Sequence, residues 1–454
     1  MKIILDAMGG DNAPQAVVQG ALEAHAQCGA DIVLVGREEA IRACLTGPLP
    51  EGVEIVNATE VVDMCDDPAT AFKRKKDSSL TVGLTMLKNG EGDAFVSAGS
   101  TGALLAGATL LVKRIRGVRR AAMGPVLPTA TGRALLCDCG ANADCTPEYL
   151  LQFAYLGNFY AQRLMGVEKP RVGLLNIGPE PSKGDTLRHE TFALLEEAGR
   201  EGRLNFIGNI EANTALLGGA DVIVADGYSG NILLKTVEGA AKLLLGEMKK
   251  AFLSSTKSKL GALLVKDSLG DVKKLLDPSE VGGTSFLGIS KPVLKAHGSS
   301  DARAIRNAVF RAVEYAQSGI IADVEANTAL LGGADVIVAD GYSGNILLKS
   351  VEGTAKLLLG EMKKAFLSST KGKLGALLVK SSLGDVKKLL DPSEVGGTPF
   401  LGISRPVLKA HGSSDARAIR NAVFRAVEYA QSGIIADVEA HIDVMKVDKT
   451  EKNG

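Results

Sequence analysis

A long block occurs twice in this chain: residues 211–324 are repeated at 325–438 with six differences. Solenoid repeats are short units stacked in series, whereas this is one long block copied once, so it does not define a repeat architecture. The dipeptide Glu-Ala follows Ile210, Val324 and Val438, which indicates recombination at a short shared sequence. We therefore predict three parts: a complete α/β domain at 1–324, a second copy at 325–438 and a polar tail at 439–454.

The overall charge excludes several classes of partner. The 52 Lys and Arg residues balance the 52 Asp and Glu residues, so no global field would gather nucleic acid or an anionic membrane. With 46% hydrophobic but only 4% aromatic residues, no Trp and 53 Gly, the composition favours an α/β protein and argues against platforms for base stacking. An anion would have to be bound locally, and no nucleic-acid partner is expected.

Neither a targeting segment nor a metal site is predicted. The first apolar run ends at Asp6, which is too short for a signal peptide, and the longest run, 103–112, is half of a bilayer span. All six cysteines precede residue 146, and the group at 137, 139 and 145 matches no structural zinc pattern. The sequence therefore predicts a cytoplasmic protein with reduced thiols.

Short Val/Ile/Leu runs alternate with stretches of helical period, which predicts βαβ units and a largely parallel sheet. The predicted strands are Lys2–Leu5, Ile32–Val35, Val53–Asn57, Ala94–Ser97, Ala134–Asp138, Arg171–Asn176, Asn205–Gly208 and Asp221–Ala225. The clearest predicted helices are Pro14–Ala26, Ser79–Lys88, Ala103–Val112 and Pro147–Met165. Pro14 and Pro147 stand where proline is tolerated, at a helix start.

The pattern changes after Asp226. Asn231–Leu253 and Lys257–Leu276 read as two amphipathic helices with no strand between them, which predicts a projecting helical hairpin at about 231–277. Its connecting segment combines four apolar residues with flanking lysines. That composition fits a dimer or core face, and it also fits an amphipathic segment that touches a membrane surface. The apolar residues are Leu260, Leu263, Leu264 and Val265.

Most of the predicted strands end in a Gly-rich polar turn that opens into a helix. Because the carboxyl ends of parallel strands meet at one edge, we expect these loops to converge on a single crevice. Glycine lets the backbone approach a ligand, and the following helix offers free N–H groups to an anion, so phosphate is the natural occupant. The loops are 6–14, 97–103, 138–144, 176–185 and 226–231, with 295–300 later in the chain.

Several familiar catalytic motifs are missing from the sequence. No Gly-x-Gly-x-x-Gly follows the first strand, and no GxxxxGK[ST] occurs. A Gly-x-Ser-x-Gly elbow and a plausible Ser-His-Asp order are also absent, so a nucleophile supplied by the protein has little support. A reaction in which the bound anion is itself the nucleophile fits better.

Six motifs in order resemble the PlsX family of bacterial phosphate acyltransferases. They are DAMGGDNAP, SAGSTGA, DCGANADCTPEYLLQFA, LLNIGPEPSKGD, ADVIVADGYSGNILLKTVEG and GGTSFLGISKPVLKAHGSSDARA. The resemblance runs from Met1 to Val324, and it departs from the family at Ser100, usually Asn, and at Pro179 and Pro181, in a loop that is usually Glu-rich.

This resemblance implies transfer of a fatty acyl group from acyl-acyl-carrier-protein to inorganic phosphate, which gives acyl-phosphate for phospholipid (phosphatidic acid) synthesis. It implies a Rossmann-like three-layer α/β/α fold and a homodimer. It further implies loose membrane contact that feeds a membrane glycerol-phosphate acyltransferase. No cofactor and no metal are expected.

Three residues are predicted to take part in catalysis. Lys183 would stabilise the charge of the tetrahedral oxyanion, and His297 would donate a proton to the leaving thiolate or bind phosphate; Asn231 is the third. Lys183 could equally be a solvated surface lysine, and Asn231 could cap the long helix without touching substrate. The predicted substrate-binding residues are Asp6, Gly9, Gly10, Asp11, Ser97, Gly99, Thr101, Gly102, Asn142, Asn176, Gly178, Asp226, Gly230, Lys235, Lys295 and Ser299.

The sequence leaves two alternative functions open, an oxidoreductase and a non-catalytic scaffold. An oxidoreductase related to isocitrate dehydrogenase would share the fold, but it would need metal-binding carboxylates and an adenine site that the sequence does not show. A non-catalytic scaffold that binds the carrier protein would use the extra copy for binding alone.

The duplication raises the question of which copy completes the fold. Either copy carries the later site residues, but only one amino-terminal half exists to meet them. Looping out the first copy costs little because loop entropy grows slowly with length. The copy that does not dock is expected to expose apolar surface. The paired residues are Asp226/Asp340, Asn231/Asn345, Lys235/Lys349 and His297/His411.

Overall fold

The computed structural model describes residues 1–63, 65–275 and 282–327, and, from the second copy, 353–354, 357, 360, 362–364, 397–399, 408–410 and 415–432. The chain divides into two compact units. The first contains Met1–Leu243 and Lys266–Ser369, and the second contains Leu244–Val265 and Thr370–Gly454. All the predicted site residues of the first copy fall in the first unit.

Fourteen strands lie in the described part of the chain. They are β1 Lys2–Asp6, β2 Asp31–Gly36, β3 Val53–Asn57, β4 Ala94–Ser97, β5 Ala122–Gly124, β6 Val126–Thr129, β7 Gly132–Cys137, β8 Arg171–Leu175, β9 Asn205–Ile210, β10 Val222–Val224, β11 Thr284–Leu287, β12 Val293–Lys295, β13 Gly397–Pro399 and β14 Leu408–Ala410.

The helices of the described ranges are α1 Gln15–Cys28, α2 Glu38–Ala43, α3 Ala71–Arg74, α4 Ser79–Asn89, α5 Thr101–Gly107, α6 Pro147–Leu164, α7 Thr186–Arg200, α8 Ala212–Thr214, α9 Gly227–Leu253, α10 Thr256–Leu275, α11 Ala302–Gln317, α12 Ile320–Asn327 and α13 Ala416–Gln431. Helices α5 and α8 each continue into a π-helical turn, at Ala108–Val112 and Ala215–Gly219. None of the helices described is long and apolar enough to cross a membrane.

Local signals explain where several helices start. The Ser78 hydroxyl accepts a hydrogen bond from the Thr81 N–H at the start of α4, and Asp185 and Asp301 cap α7 and α11 in the same way. Pro147 occupies the first turn of α6, where its missing N–H has no cost.

The predicted α/β class is confirmed, with the strands divided between two sheets. The first sheet has the order β3-β2-β1-β4-β12-β11-β5, and the second has the order β6-β7-β10-β8-β9. Pairing is parallel except at β11, β5 and β6, which lie antiparallel to their neighbours. All eight predicted strands are present. Strands β5, β6, β11 and β12 were not predicted, because no helix separates β5, β6 and β7 from one another or β11 from β12, and the alternation of strand and helix does not reveal them.

The first copy of the duplicated block completes both sheets. Its strand β10 lies between β7 and β8, and its strand β12 lies between β4 and β11. Its helix α11 packs along α1 so closely that a Cβ on Gly20 would lie 2.3 Å from the carbonyl oxygen of Ala302. Glycine is therefore required at this crossing.

The second unit contains the same helix sequence in another environment. Strands β13 and β14 pair antiparallel, and α13 contacts both. Ile305 and Val309 of α11 are 1% and 0% exposed, whereas their counterparts Ile419 and Val423 of α13 are 48% and 58% exposed. In the second copy, the apolar face that α11 buries thus remains open. The counterparts of the later site residues, Asp340, Asn345, Lys349 and His411, lie outside the described residues.

Candidate functional site

Three loops at the carboxyl ends of β1, β4 and β12 form one hydrogen-bonded cluster. The buried Asp6 carboxylate accepts hydrogen bonds from the Ser97 hydroxyl at 2.7 Å and from the Met8 N–H at 3.2 Å. Ser97 in turn accepts from the Gly99 N–H at 3.0 Å. A Cβ on Gly9 would lie 2.4 Å from Asp6 Oδ2, so only glycine allows this approach.

Lys295 supplies a cation at the centre of this cluster. It is 8% exposed, and its ammonium group donates hydrogen bonds to the carbonyl oxygens of Ala98 and Ala296. Burial lowers the pKa of Lys295 to about 8, against the opposing effect of Asp6 and Asp11. A buried ammonium that carries its proton at neutral pH suits an anionic ligand.

The loop after β12 is tied to the loop after β1 by backbone contacts. The Asp11 N–H donates to Gly298 O at 2.8 Å, and the Asn12 amide donates to the carbonyl oxygens of Ser299 and Ser300. His297 lies on the loop that these bonds hold in place. The predicted residues Asp6, Gly9, Gly10, Asp11, Ser97, Gly99, Lys295, His297 and Ser299 therefore lie on three adjoining loops.

The hydrogen bonds of His297 fix its tautomer. Ser299 donates its backbone N–H to His297 Nδ1 at 3.3 Å, so Nδ1 is an acceptor and the neutral ring carries its proton on Nε2. Partial burial and the nearby charge of Lys235 lower the pKa of His297 below its usual 6.5. The ring is thus neutral at pH 7 and can donate a hydrogen bond through Nε2.

A second cluster forms at the carboxyl ends of β7 and β10. The fully buried Asp138 carboxylate accepts hydrogen bonds from the backbone N–H groups of Met123, Cys139 and Asn142, at 2.7, 2.6 and 2.7 Å. Burial nevertheless raises its pKa to about 6. A Cβ on Gly230 would lie 2.0 Å from Asp138 O, which explains the glycine of the loop after β10.

Arg188 joins the loop after β8 to the loop after β10. Its guanidinium is 4% exposed and donates to Asp185 Oδ2 at 2.9 Å, to Ser229 Oγ at 3.0 Å and to the Asp226 carboxylate. Asp226 also accepts the Ser229 N–H at 2.8 Å, as an N-cap does, and α9 begins at Gly227. The helix predicted at Asn231–Leu253 starts one turn earlier, at Gly227, so the alternative in which Asn231 caps it does not hold.

Lys183 lies on the loop that Arg188 anchors. The amide of Asn176 donates to Lys183 O at 3.0 Å, and Lys183 N–H donates to Glu180 O at 3.0 Å. A Cβ on Gly178 would lie 3.1 Å from Lys183 Cγ, so the glycine leaves room for the lysine stem. The lysine side chain is exposed.

Two interactions connect the clusters of the two sheets. Met123 of β5, in the first sheet, donates its N–H to Asp138, in the second. Lys235, on the exposed face of α9, lowers the pKa of both Lys295 and His297 by repulsion, so it lies near the first cluster. Each sheet thus contributes three of the six loops, and their convergence on a single crevice stays a prediction.

The assignments of individual residues stay predictions, but the structure adds three that the sequence analysis missed. Asp138, Arg188 and Ser229 are buried and organise the loops. Asp138 ends a predicted strand and could have been found from that position, whereas Arg188, in the first turn of α7, is marked locally only by Asp185 three residues before it. Thr101 and Gly102 begin α5, which the Ser100 hydroxyl caps.

Two further features lie outside these loops. A surface cavity of about 500 Å³ beside β9 is lined by residues that include Phe192, Arg200 and Phe206, and by none of the loop residues. Among the described ranges, no group of three or more His, Cys, Asp or Glu side chains could hold a metal ion.

The fold and the loops define a two-sheet α/β protein with polar, Gly-rich loops at the carboxyl ends of its strands. The family model described as "Fatty acid synthesis protein" matches residues 1–323 and again 321–437. The chain belongs to this family.

Its relatives are curated under one name. The phosphate acyltransferase of Lysinibacillus sphaericus is 46% identical over 326 residues, which is 71% of this chain and 97% of the relative. That of Clostridioides difficile is 42% identical over 327 residues, 71% of this chain and 95% of the relative. The protein is accordingly an acyltransferase.

Among solved structures, a phosphotransacetylase from Streptococcus pyogenes is similar, with a TM-score of 0.49 and 20% identity over 70% of this chain and 94% of the other.

Proposed function

We propose that the chain transfers a fatty acyl group from acyl-acyl-carrier-protein to inorganic phosphate and releases acyl-phosphate for phosphatidic acid synthesis. The observation that carries this proposal is the buried ammonium of Lys295, which lies among the Gly-rich loops after β1 and β4. Such an arrangement binds a small anion without a large positive field. The family assignment to phosphate acyltransferases supports it.

The chemistry requires little covalent work from the protein. A phosphate oxygen attacks the thioester carbonyl carbon, the C–S bond breaks, and the carrier thiolate leaves and takes up a proton. The protein positions phosphate and stabilises the oxyanion of the tetrahedral intermediate. Lys295 and the loops after β1 and β4 would hold phosphate, and Lys183 would face the oxyanion. His297 would offer its Nε2–H to phosphate or to the leaving sulfur.

Two assembly properties belong to the same proposal. We infer a homodimer that works in the cytoplasm, with peripheral contact to the membrane where a glycerol-phosphate acyltransferase takes up the product. The exposed Leu260 and Leu263 of α10 support membrane contact, since they are 55% and 68% exposed and stand between lysines.

Phosphate-dependent thiol release distinguishes the proposed reaction from its alternatives. Acyl-acyl-carrier-protein is mixed with the full chain, and the thiol released from the carrier is followed with a disulfide reagent with and without phosphate. Thiol release that rises with phosphate is the expected result. A scaffold would bind the carrier without releasing thiol, and an oxidoreductase would reduce NAD instead.

The replacement Lys183→Ala is expected to lower kcat by about 10²-fold, because one charged donor to a developing oxyanion contributes on this scale. The measurement is steady-state acyl-phosphate formation at saturating phosphate. Lys88→Ala, at an exposed site on α4, serves as a matched control and should retain activity. Unchanged turnover in Lys183→Ala would remove this lysine from the mechanism.

Deleting Glu325–Val438 is expected to leave activity per mole unchanged and to raise solubility. The first copy already supplies β10 and β12 to the sheets, whereas α13 exposes Ile419, Val423 and Phe424, the last at 60%. Activity and the soluble fraction of both chains would be compared at one concentration. If the shortened chain loses activity, the second copy is functional and the proposed 1–324 domain is incomplete.

A further inference from the structure

A run of five cations lies between α5 and β5. Lys113, Arg114, Arg116, Arg119 and Arg120 fall within eight positions, and no Asp or Glu occurs from residue 94 to residue 137. We call residues 113–120 the basic loop. All of its cations are exposed except Arg114, which is partly buried.

The basic loop is held in a fixed shape. Its two apolar residues, Ile115 and Val118, are 2% and 4% exposed and anchor it in the core. The Ile115 N–H donates to Gly288 O at 2.9 Å, and Gln152 bonds the loop at Arg119 N and at Gly117 O. The cations are therefore presented on a preorganised surface, which lowers the entropy lost when a partner binds.

The loop adjoins the crevice. Arg120 is followed by Ala121, whose carbonyl accepts the Asn142 amide at 2.8 Å, and then by β5, which bonds Asp138 through Met123. The Arg120 guanidinium lies 5.6 Å from the ring centroid of Tyr149, on the helix that follows the loop of Asn142. A partner bound here would sit at the edge of the catalytic loops.

Charges on neighbouring elements leave the surface positive. Glu148, 3% exposed, pairs with Arg119 at 2.9 Å, and Lys291 follows the strand segment that pairs with Arg114. One buried carboxylate thus opposes five loop cations. The loop buries its apolar residues instead of projecting them, so it lacks the side chains that would insert into a bilayer.

We propose that the basic loop is the docking surface for an acidic protein that delivers the acyl thioester. This rests on the proposed function, in which the donor is a carrier protein. Charge complementarity at the edge of the site would speed encounter and orient the arm that bears the thioester toward the crevice. Arg116 and Arg120 are the residues to test, because both are exposed and neither is paired with a carboxylate in the described structure.

The test compares the double variant Arg116→Glu/Arg120→Glu with the double variant Lys169→Glu/Arg200→Glu. The control changes the charge equally, on exposed residues beside β9; Arg200 ends α7, roughly 20 Å along the helix from Arg188. Each full-length chain is assayed with two acyl donors. One is acyl-acyl-carrier-protein, and the other is acyl-pantetheine, which lacks the carrier protein. Melting temperature is recorded for each.

The kcat/KM of the loop variant for acyl-acyl-carrier-protein should fall about tenfold or more, mainly at low salt. Its kcat/KM for acyl-pantetheine should change by less than about twofold. The control should match the wild type with both donors. An equal loss with both donors, or no loss with the carrier, overturns the proposal. So does weaker binding to anionic vesicles with intact carrier kinetics, which would assign the loop to a membrane.

An error in the proposed acyl donor and an error in the docking surface give different experimental results. If the wild type uses acyl-pantetheine but not acyl-acyl-carrier-protein, both the proposed donor and the proposed docking surface are wrong. If the wild type uses the carrier and the loop variant is normal, only the docking surface is wrong.

Discussion

Replacing Arg188 with methionine is expected to lower the free energy of unfolding by about 3–5 kcal/mol, because it leaves two carboxylates in the interior without their cation. Asp185 and Asp226 keep side-chain exposures of only 11% and 7%, and both bond this guanidinium. Methionine fills much of the same volume, so the lost stability reports the stranded charges more than a cavity. Activity should fall as well, since the loops after β8 and β10 are joined here.

The measurement is the urea midpoint of the full chain, with Arg171→Met as the matched control. Arg171 also pairs with a carboxylate, Asp221, at 2.9 Å, but its side chain is 43% exposed. Solvent screens that pair, so its loss should cost about 1 kcal/mol or less. An Arg188→Met midpoint no lower than that of Arg171→Met would show that the buried network contributes no more than a surface pair.

Lys295 is expected to set the alkaline limit of phosphate use. Burial lowers its pKa to about 8, so above that pH the free enzyme loses the cation that holds phosphate. The value of kcat/KM for phosphate should then fall about tenfold per pH unit. Lys295→Arg keeps its charge and should shift this alkaline limb of the pH profile to higher pH. Lys295→Met should remove the alkaline limb and lower kcat/KM for phosphate by about 10²- to 10³-fold.

The assay runs from pH 7.5 to 10 with saturating acyl donor, and Lys88→Met is the control for a lysine outside the site. The same shift has a stability signature of definite sign. Because the folded pKa lies below the unfolded value of 10.5, the folded state binds fewer protons between about pH 8 and 10.5, and this residue's contribution to stability rises with pH there. A limb that persists unchanged in Lys295→Met would exclude this lysine as its source.

Sequence pattern alone indicated the fold class, eight of the strands and the loops that carry the predicted site residues. Hydrophobic period and Gly-rich turns are local signals, and strands such as β3 were recognised at their full length because five residues suffice to show the pattern. Strands β5 and β11 are each followed by another strand and not by a helix, and their antiparallel pairing is decided by partners far away in sequence. The division into two sheets followed from those unrecognised strands.

The residues of the site also divide into those that local sequence indicates and those that depend on tertiary structure. Lys295 and His297 could be singled out from their Gly- and Ser-rich loop, but the pKa of each depends on burial and on Lys235, which are tertiary facts. The spacing of three between Asp185 and Arg188 is a local signal, but nothing in the sequence indicates that Asp226 of a distant loop will meet the same guanidinium. Local chemistry was thus readable from the chain, whereas charge burial and long-range pairing were decided only by the folded structure, since both depend on which distant segments exclude water from a residue.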